Sequence, residues 1–397
     1  MSDIPVSDPN QTSSRRTGWL SLLWLVVPLA AMAAAVWWLY AANPLAAFNN
    51  GAPPVENLTY ERTILDADGL RVLVRAGGSE PMRIAQVMVD DAYWEFTQTP
   101  AGQLARGDTA WIALPFPWVL GEAHVVNIVT ATGATFAHDI AVAVPSPVPT
   151  SAALNAQAVL GFFVGIVPVA IGMMFYPALR GVGRGGMDFL LSLTIGLLAF
   201  LLVDTLEDAL EFAGEAALVF QGPTMVILAA IGSFLLLMAV ARRNGTPTGL
   251  ALATFIAIGI GLHNLGEGLA IGAAFAGGAA GLGTFLVLGF TLHNITEGIG
   301  IAAPLLKQRP PLWAFPVLVL VAGFPAVVGM WVGSLAFAPH WSALALAVGA
   351  GAILQVIVEV VALLARGGSG RLVSAPVVGG LFVGVAVMYA TAALVKI

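Results

Sequence analysis

Leu262-His263-Asn264-Leu265-Gly266-Glu267-Gly268 and Leu292-His293-Asn294-Ile295-Thr296-Glu297-Gly298 are near-copies of one pattern, and both sit in the apolar stretch from Leu250 to Leu305. A carboxylate at the middle of a bilayer costs about 3 kcal/mol or more, so an intramembrane Glu one helical turn from a His marks a functional site. Helix positions four apart share a face, so His263 with Glu267, and His293 with Glu297, each offer an imidazole and a carboxylate to one point. Two such faces opposed predict a two-His, two-Glu cage. Asn264 and Asn294, each turned by about 100° from the His before it, offer carbonyl oxygens to an adjoining position. These donors suit a divalent first-row ion, Zn²⁺ foremost, with Fe²⁺, Mn²⁺ and Co²⁺ close behind. Counted at about 1.5 Å per residue from the expected helix starts, both His fall near mid-membrane on helices of opposite direction. The plainer reading, in which these four side chains only hydrogen-bond one another, accounts less well for a duplicated motif in register at one depth.

Composition agrees with the membrane setting. The 397 residues are 58% hydrophobic and 10% charged, with a mean hydropathy of +0.90, values at which a soluble globule would aggregate. The length holds roughly nine spans of about 20 residues and one soluble domain of about 100. A formal net charge of -6, with no basic run outside the expected inner loops, argues against a nucleic-acid partner. There is no Cys, so a metal would be held by nitrogen and oxygen, which disfavours a Cu(I) site.

Residues 1–18 are polar, carry Pro5 and Pro9, and end near Arg15-Arg16, which predicts a disordered cytoplasmic tail. Residues 19–42 are an apolar run flanked by Trp19, Trp37, Trp38 and Tyr40, as a transmembrane anchor requires. A cleaved twin-arginine signal is the alternative, with Ala33-Ala34-Ala35 as its small residues. Residues 43–150 change character. Pro53-Pro54, Asp68-Gly69, Gly77-Gly78 and Gly107-Asp108 punctuate Val- and Ile-rich runs at Leu70 to Val74, Met82 to Val89, Ala110 to Leu114, His124 to Thr130 and Ile140 to Val144. Short strands at this spacing predict an extracytoplasmic β-sandwich, immunoglobulin-like in type. Its His124 and His138 lack a second ligand at useful spacing and read as strand residues.

Eight apolar segments follow, at about 153–177, 187–213, 222–241, 248–277, 282–305, 312–338, 341–365 and 373–395. Arg180 with Arg184, Arg242 with Arg243, Lys307 with Arg309, and Arg366 with Arg371 fall in alternate connections. The positive-inside rule then predicts a multi-pass protein of the cell (inner) membrane, with the N-terminus inside and both the β domain and the C-terminus outside. The expected fold class is mainly α: a polytopic helical bundle at residues 151–397 with an eight-helix core, plus the N-terminal helix and the β-sandwich.

The two motifs resemble those of the Zrt/Irt-like (ZIP) divalent metal transporters, whose fourth and fifth spans carry His-Asn-x-Pro-Glu-Gly-like sequences; His263 and His293 lie on the fourth and fifth of the eight segments here. The resemblance covers about Ala152 to Ile397. It implies a two-metal site, with His263, Glu267, His293 and Glu297 lining one position, and Asn264 and Asn294 the second with Glu297 bridging. Where the family's second span often has His-Leu-Leu-Pro-Glu-Ala, this chain has Asp204-Thr205-Leu206-Glu207-Asp208-Ala209. Asp204, Glu207, Asp208 and Glu211 would then share a cation-attracting outer face, a solvated helix end being the alternative. In the seventh segment Glu359, with Gln355 on its face, resembles an exit ligand; as an isolated buried acid it would instead be protonated and structural.

The chain departs from the family at Gly266 and Thr296, which replace the motif proline, and at Ala326 and Val327, where the sixth span usually has Glu-Pro. The second departure weakens the second metal position. The connection from Ala241 to Thr248 is short and lacks the His-rich loop of many relatives. The resemblance implies transport of a divalent cation toward the cytoplasm, Zn²⁺ first and Fe²⁺, Mn²⁺, Co²⁺ or Cd²⁺ after it, with no enzymatic step. A metal sensor without flux is the main alternative. An intramembrane zinc hydrolase is a weaker one, since no His-Glu-x-x-His occurs and a four-ligand cage leaves little open coordination. The lipid bilayer is the expected partner besides the metal, small-residue faces permit a homodimer, and the β domain leaves room for an unidentified ligand.

Overall fold

The computed structural model describes residues 19–42, 54–146, 148, 150–276, 280–306, 308–335, 338–367 and 373–395. The expected polar tail with Arg15-Arg16, and the loop cations Lys307 and Arg371, lie outside the described residues. The chain divides into two compact units, Met1–Pro53 and Pro54–Ile397. The first contains α1 (Trp19–Ala42), 24 residues interrupted by no polar side chain except Ser21 and Tyr40. At 1.5 Å per residue it is about 36 Å long, enough to cross a hydrocarbon core of about 30 Å.

The second unit begins with eight strands: β1 (Leu58–Asp66), β2 (Gly69–Ala76), β3 (Ile84–Val89), β4 (Ala92–Trp94), β5 (Thr97–Thr99), β6 (Thr109–Leu114), β7 (His124–Thr130) and β8 (Thr135–Ile140). They form two four-stranded sheets, ordered β1-β2-β6-β5 and β4-β3-β7-β8, with antiparallel pairing throughout. This is the strand order of an immunoglobulin-type sandwich. Alternate residues of both sheets fill one core: Val72, Val74, Ile112 and Leu114 from one, Val87, Val89, Val126 and Ile128 from the other. The expected strand at Ile140 to Val144 is not formed. The last strand instead ends at Ile140, and the apolar run beyond it closes one end of the sandwich, with Ala143 buried and exchanging backbone hydrogen bonds with Gly121 and Glu122. β1 escapes a period-two reading because its register shifts between Tyr60 and Arg62, so Leu58, Glu61 and Leu65 are its buried positions.

The helices follow as α2 (Ser151–Gly161), α3 (Val167–Met174), α4 (Tyr176–Leu179), α5 (Arg184–Glu215), α6 (Gly222–Ala241), α7 (Gly249–Ala276), α8 (Ala280–Ala302), α9 (Ala314–Leu335), α10 (Pro339–Gly367) and α11 (Ala375–Val395). Among the described residues six helical stretches are long and apolar enough to cross a membrane: Ser151–Leu179, Arg184–Glu215, Leu218–Ala241, Gly249–Phe275, Ala314–Leu335 and Pro339–Arg366. The protein is therefore mainly α and polytopic, with lipid-contacting flanks. On α6, for example, Leu228 and Leu236 are each 65% exposed, an arrangement that water would penalise and hydrocarbon does not.

Packing divides the bundle into two groups: α2, α3, α7, α8 and α9 against one another, and α5, α6, α10 and α11 against one another, with α7 and α10 forming the main seam between them. The tightest crossing is α7 on α9. A Cβ at Gly268 would lie 2.1 Å from Ala326 O, and one at Gly329 2.1 Å from Leu265 O, so only glycine lets these backbones meet. The first span is not one continuous helix. A π turn, Phe162–Ile166, separates α2 from α3, and its wider winding accommodates Pro168, which has no N–H to return to Val164 O.

The sandwich is seated on this bundle by β1 and β2. Arg62 Nη2 donates to Leu335 O at 2.6 Å, at the end of α9. Arg75 makes a two-pronged bond to buried Glu61, at 2.5 and 3.1 Å, and its guanidinium lies 5.1 Å from the Phe220 ring centre. His340, at the start of α10, stacks on the other contact partner Phe220 with ring centres 4.3 Å apart.

Candidate metal centre

Three side chains of the duplicated motif meet inside the bundle. His263 Nε2 lies 2.9 Å from Glu267 Oε1, and His293 Nε2 lies 2.5 Å from the same oxygen. The first contact is one helical turn along α7, and the second crosses from α8. Ligand atoms of His263, Glu267 and His293 all fall within 4.8 Å of one another, and all three residues are buried. Two imidazoles on one carboxylate oxygen is a donor arrangement that a divalent cation would reorganise easily. Each Nε2 and one carboxylate oxygen can turn to a shared ion, provided the Nε2 positions have lost their protons.

Glu297 lies next to that trio, outside its 4.8 Å cluster. It is 2% exposed; its carboxylate makes no close hydrogen bond among the described residues but lies beside the Asn264 side chain. A cavity of about 10 Å³ touches Glu297, His293 and Thr296 on one side and Leu197, Leu201 and Met388 on the other. That is about the space of a single water, and it lies where α8 faces α5 and α11. In this conformation three of the four expected cage residues have ligand atoms within 4.8 Å of one another, and Glu297, the fourth, lies within electrostatic reach of both imidazoles and of Glu267.

One of the two asparagines is explained by a proline. Asn294 Nδ2 donates to Val164 O at 3.1 Å, the carbonyl that Pro168 leaves without a helical partner, and also to Glu267 Oε2 at 3.3 Å. Asn264 Nδ2 donates to Ala322 O at 3.0 Å, one residue beyond the Val321 carbonyl that Pro325 frees in α9. Because both amide nitrogens are committed to carbonyls, both amide oxygens must face the other way. Asn264 Oδ1 and Asn294 Oδ1 are buried with no partner among the described residues. These two oxygens and the Glu297 carboxylate beside Asn264 are buried acceptors with no close donor among the described residues, a set that a cation fits better than a neutral core does.

Thr296 replaces the expected motif proline, and its Oγ1 donates to His293 O at 2.6 Å, a back-bond that bends a helix slightly. The Ala326 and Val327 positions are filled by packing. Both are buried, and Cβ atoms built at Gly165 and Gly161 would collide with Ala326 and Val327 respectively, so a carboxylate would have no room there.

The remaining expected residues occupy two further places. Asp204 and Asp208 are half-buried, whereas Glu207 and Glu211 are exposed, so the acidic face of α5 is split between bundle and exterior; Asp204 lies within electrostatic reach of His293. Gln355 is fully buried, neither amide atom has a hydrogen-bond partner among the described residues, and its Oε1 lies 3.2 Å from where a Cβ at Gly259 would be, one turn from His263. Glu359, 1% exposed, pairs with Arg242 Nε at 3.4 Å, and its Oε2 has no partner among the described residues. That Arg242 contact was not legible in the sequence, where Arg242 served only as a topology marker. The role of Pro168 was likewise missed, although it stands inside an apolar run.

Comparison with known proteins assigns no family. The chain matches no family model and no curated protein.

Proposed function

We propose that this protein transports a divalent metal cation across the membrane through the His263/Glu267/His293 cluster, as a ZIP-like transporter with an eight-helix core. The observation that carries the reading is the convergence of two motif copies, from α7 and α8, on one buried carboxylate oxygen, beside buried acceptors of Asn264, Asn294 and Glu297 that have no close donor among the described residues. In this reading the cation enters past the Asp204 and Asp208 side, exchanges water for His263, Glu267 and His293, is shared with Glu297 and the Asn264 and Asn294 carbonyls, and leaves past Gln355 and Glu359. Zn²⁺ suits the donors best, with Fe²⁺, Mn²⁺, Co²⁺ and Cd²⁺ as competitors. Alternating exposure comes from movement of the two helix groups along the α7–α10 seam. The basic connections lie on the cytoplasmic side, and the sandwich and C-terminus lie outside.

A second reading is metal sensing without flux. It is favoured by the seating of the sandwich on Leu335 of one helix group and on His340 of the other, contacts that resist relative movement. Uptake of the five cations into proteoliposomes, with Glu297→Ala as the control, separates the two. Saturable uptake lost in the variant supports the transporter. Specific binding with no uptake by the parent protein supports the sensor.

A further inference from the structure

A cavity of about 840 Å³ opens sideways between α3–α4 and the first half of α9, far larger than any space at the metal cluster. Its walls are apolar from Ile166 to Tyr176 on one side and from Phe315 to Leu320 on the other. Tyr176 and Phe315 meet edge to face at 5.1 Å, and the Tyr176 hydroxyl is turned out of the slot to Gln308 O at 2.9 Å. The two positive side chains on its lining, Arg180 and Arg309, sit at one end. Arg180 reaches over the Tyr176 ring at 5.9 Å, and both are exposed. Neither joins an ion pair among the described residues.

The dimensions match one leaflet. From Tyr176 back to Ile166 is ten residues of mainly helical rise, about 15 Å, and half of a hydrocarbon core of about 30 Å is the same length. Charges in these two connections alone would satisfy a topology rule. That rule does not require them to arrive, from connections well separated in the chain, at the mouth of one acyl-deep slot. We propose that this slot binds an anionic phospholipid, with its phosphate on Arg180 and Arg309 and an acyl chain lying along Ile166 to Tyr176. The assignment rests on the helices crossing a bilayer and is independent of the metal reading.

The test uses the purified full chain in detergent, with native mass spectrometry of lipid retained after exchange against phosphatidylglycerol and phosphatidylcholine of identical acyl chains. Phosphatidylglycerol should be retained about 30-fold more strongly, as expected for two basic contacts. Arg180→Gln with Arg309→Gln should abolish the preference while Arg180→Lys with Arg309→Lys keeps it. Ala170→Phe, which fills the slot without changing charge, should release both lipids. Equal retention of the two lipids by the parent protein would overturn the proposal, as would a preference that survives the double Gln change or lipid retention unaltered by Ala170→Phe. Binding of glycerol phosphate as tight as that of phosphatidylglycerol would remove the acyl slot from the argument.

Discussion

Glu267 Oε1 is the atom on which both imidazoles of the motif converge, and Asn294 holds the other oxygen of the same carboxylate. Replacing Glu267 by Gln keeps the shape and removes the charge. The expected result is at least about tenfold weaker Zn²⁺ binding by calorimetry, because two His without an anionic partner bind a divalent ion poorly. Asn294→Leu removes both the acceptor oxygen and the bond to Val164 O, so it should lower affinity and also loosen the π turn, detected as faster amide exchange over residues 162–166. Outside the membrane, His138 is the informative titrating group. Burial lowers its pKa, against a smaller opposing effect of Asp139, while its ring stacks on Tyr60 at 4.7 Å and Nε2 contacts Thr63 Oγ1 at 2.8 Å. The unfolded chain therefore binds the proton more readily than the folded one. The stability contribution is present above the ordinary His value of 6.5 and is lost as pH falls below it. Thermal unfolding of the sandwich should shift down between pH 7.5 and 5.5, and His138→Gln should flatten that dependence.

At the scale of elements, α7 and α9 depend on glycine where their backbones touch. Gly268→Val would put a branched side chain into a space that ends 2.1 Å away at Ala326 O, so it should cost about 3 kcal/mol or force the helices apart. The loss should appear as a lower unfolding temperature together with weaker metal binding, since His263 and Glu267 ride on α7. A second dependence links α6 to α10. Arg242→Gln leaves the Glu359 carboxylate buried without its cation, and should destabilise by about 3 kcal/mol, the lower end of the range because the guanidinium is partly exposed. Adding Glu359→Gln should restore much of that stability, a coupling that a double-mutant cycle on unfolding measures directly.

For the molecule as a whole, the sandwich is an external body fastened to both helix groups. Its fasteners among the described residues include Arg62 to Leu335 O, and the Glu61, Arg75, Phe220 and His340 cluster. Arg62→Ala combined with Phe220→Ala should leave the sandwich core intact, because no buried residue of that core changes, and should free its seat. Limited proteolysis near residues 141–150 should accelerate several-fold while sandwich amide protection stays constant. In the transporter reading the same variant should speed flux, and in the sensor reading it should leave metal binding unchanged.

Much of this was written in local sequence. Continuous apolar runs placed the helices to within a few residues, the strands β2, β3, β6 and β7 followed from Val- and Ile-rich alternation, and the spacing of four put each His and Glu on one helix face. These features depend on neighbours in the chain, so local pattern is enough to specify them. Other features depended on residues distant in sequence. The bulge in β1 hid a strand, the apolar run after Ile140 became a lid through backbone bonds to the β6–β7 loop, and Pro168 released a carbonyl that Asn294 on a neighbouring helix satisfies. The selection of Glu267, rather than Glu297, as the carboxylate shared by both His was also a tertiary decision. Helical periodicity places an acid on a face, but the crossing of α7 and α8 decides which acid the opposite imidazole reaches.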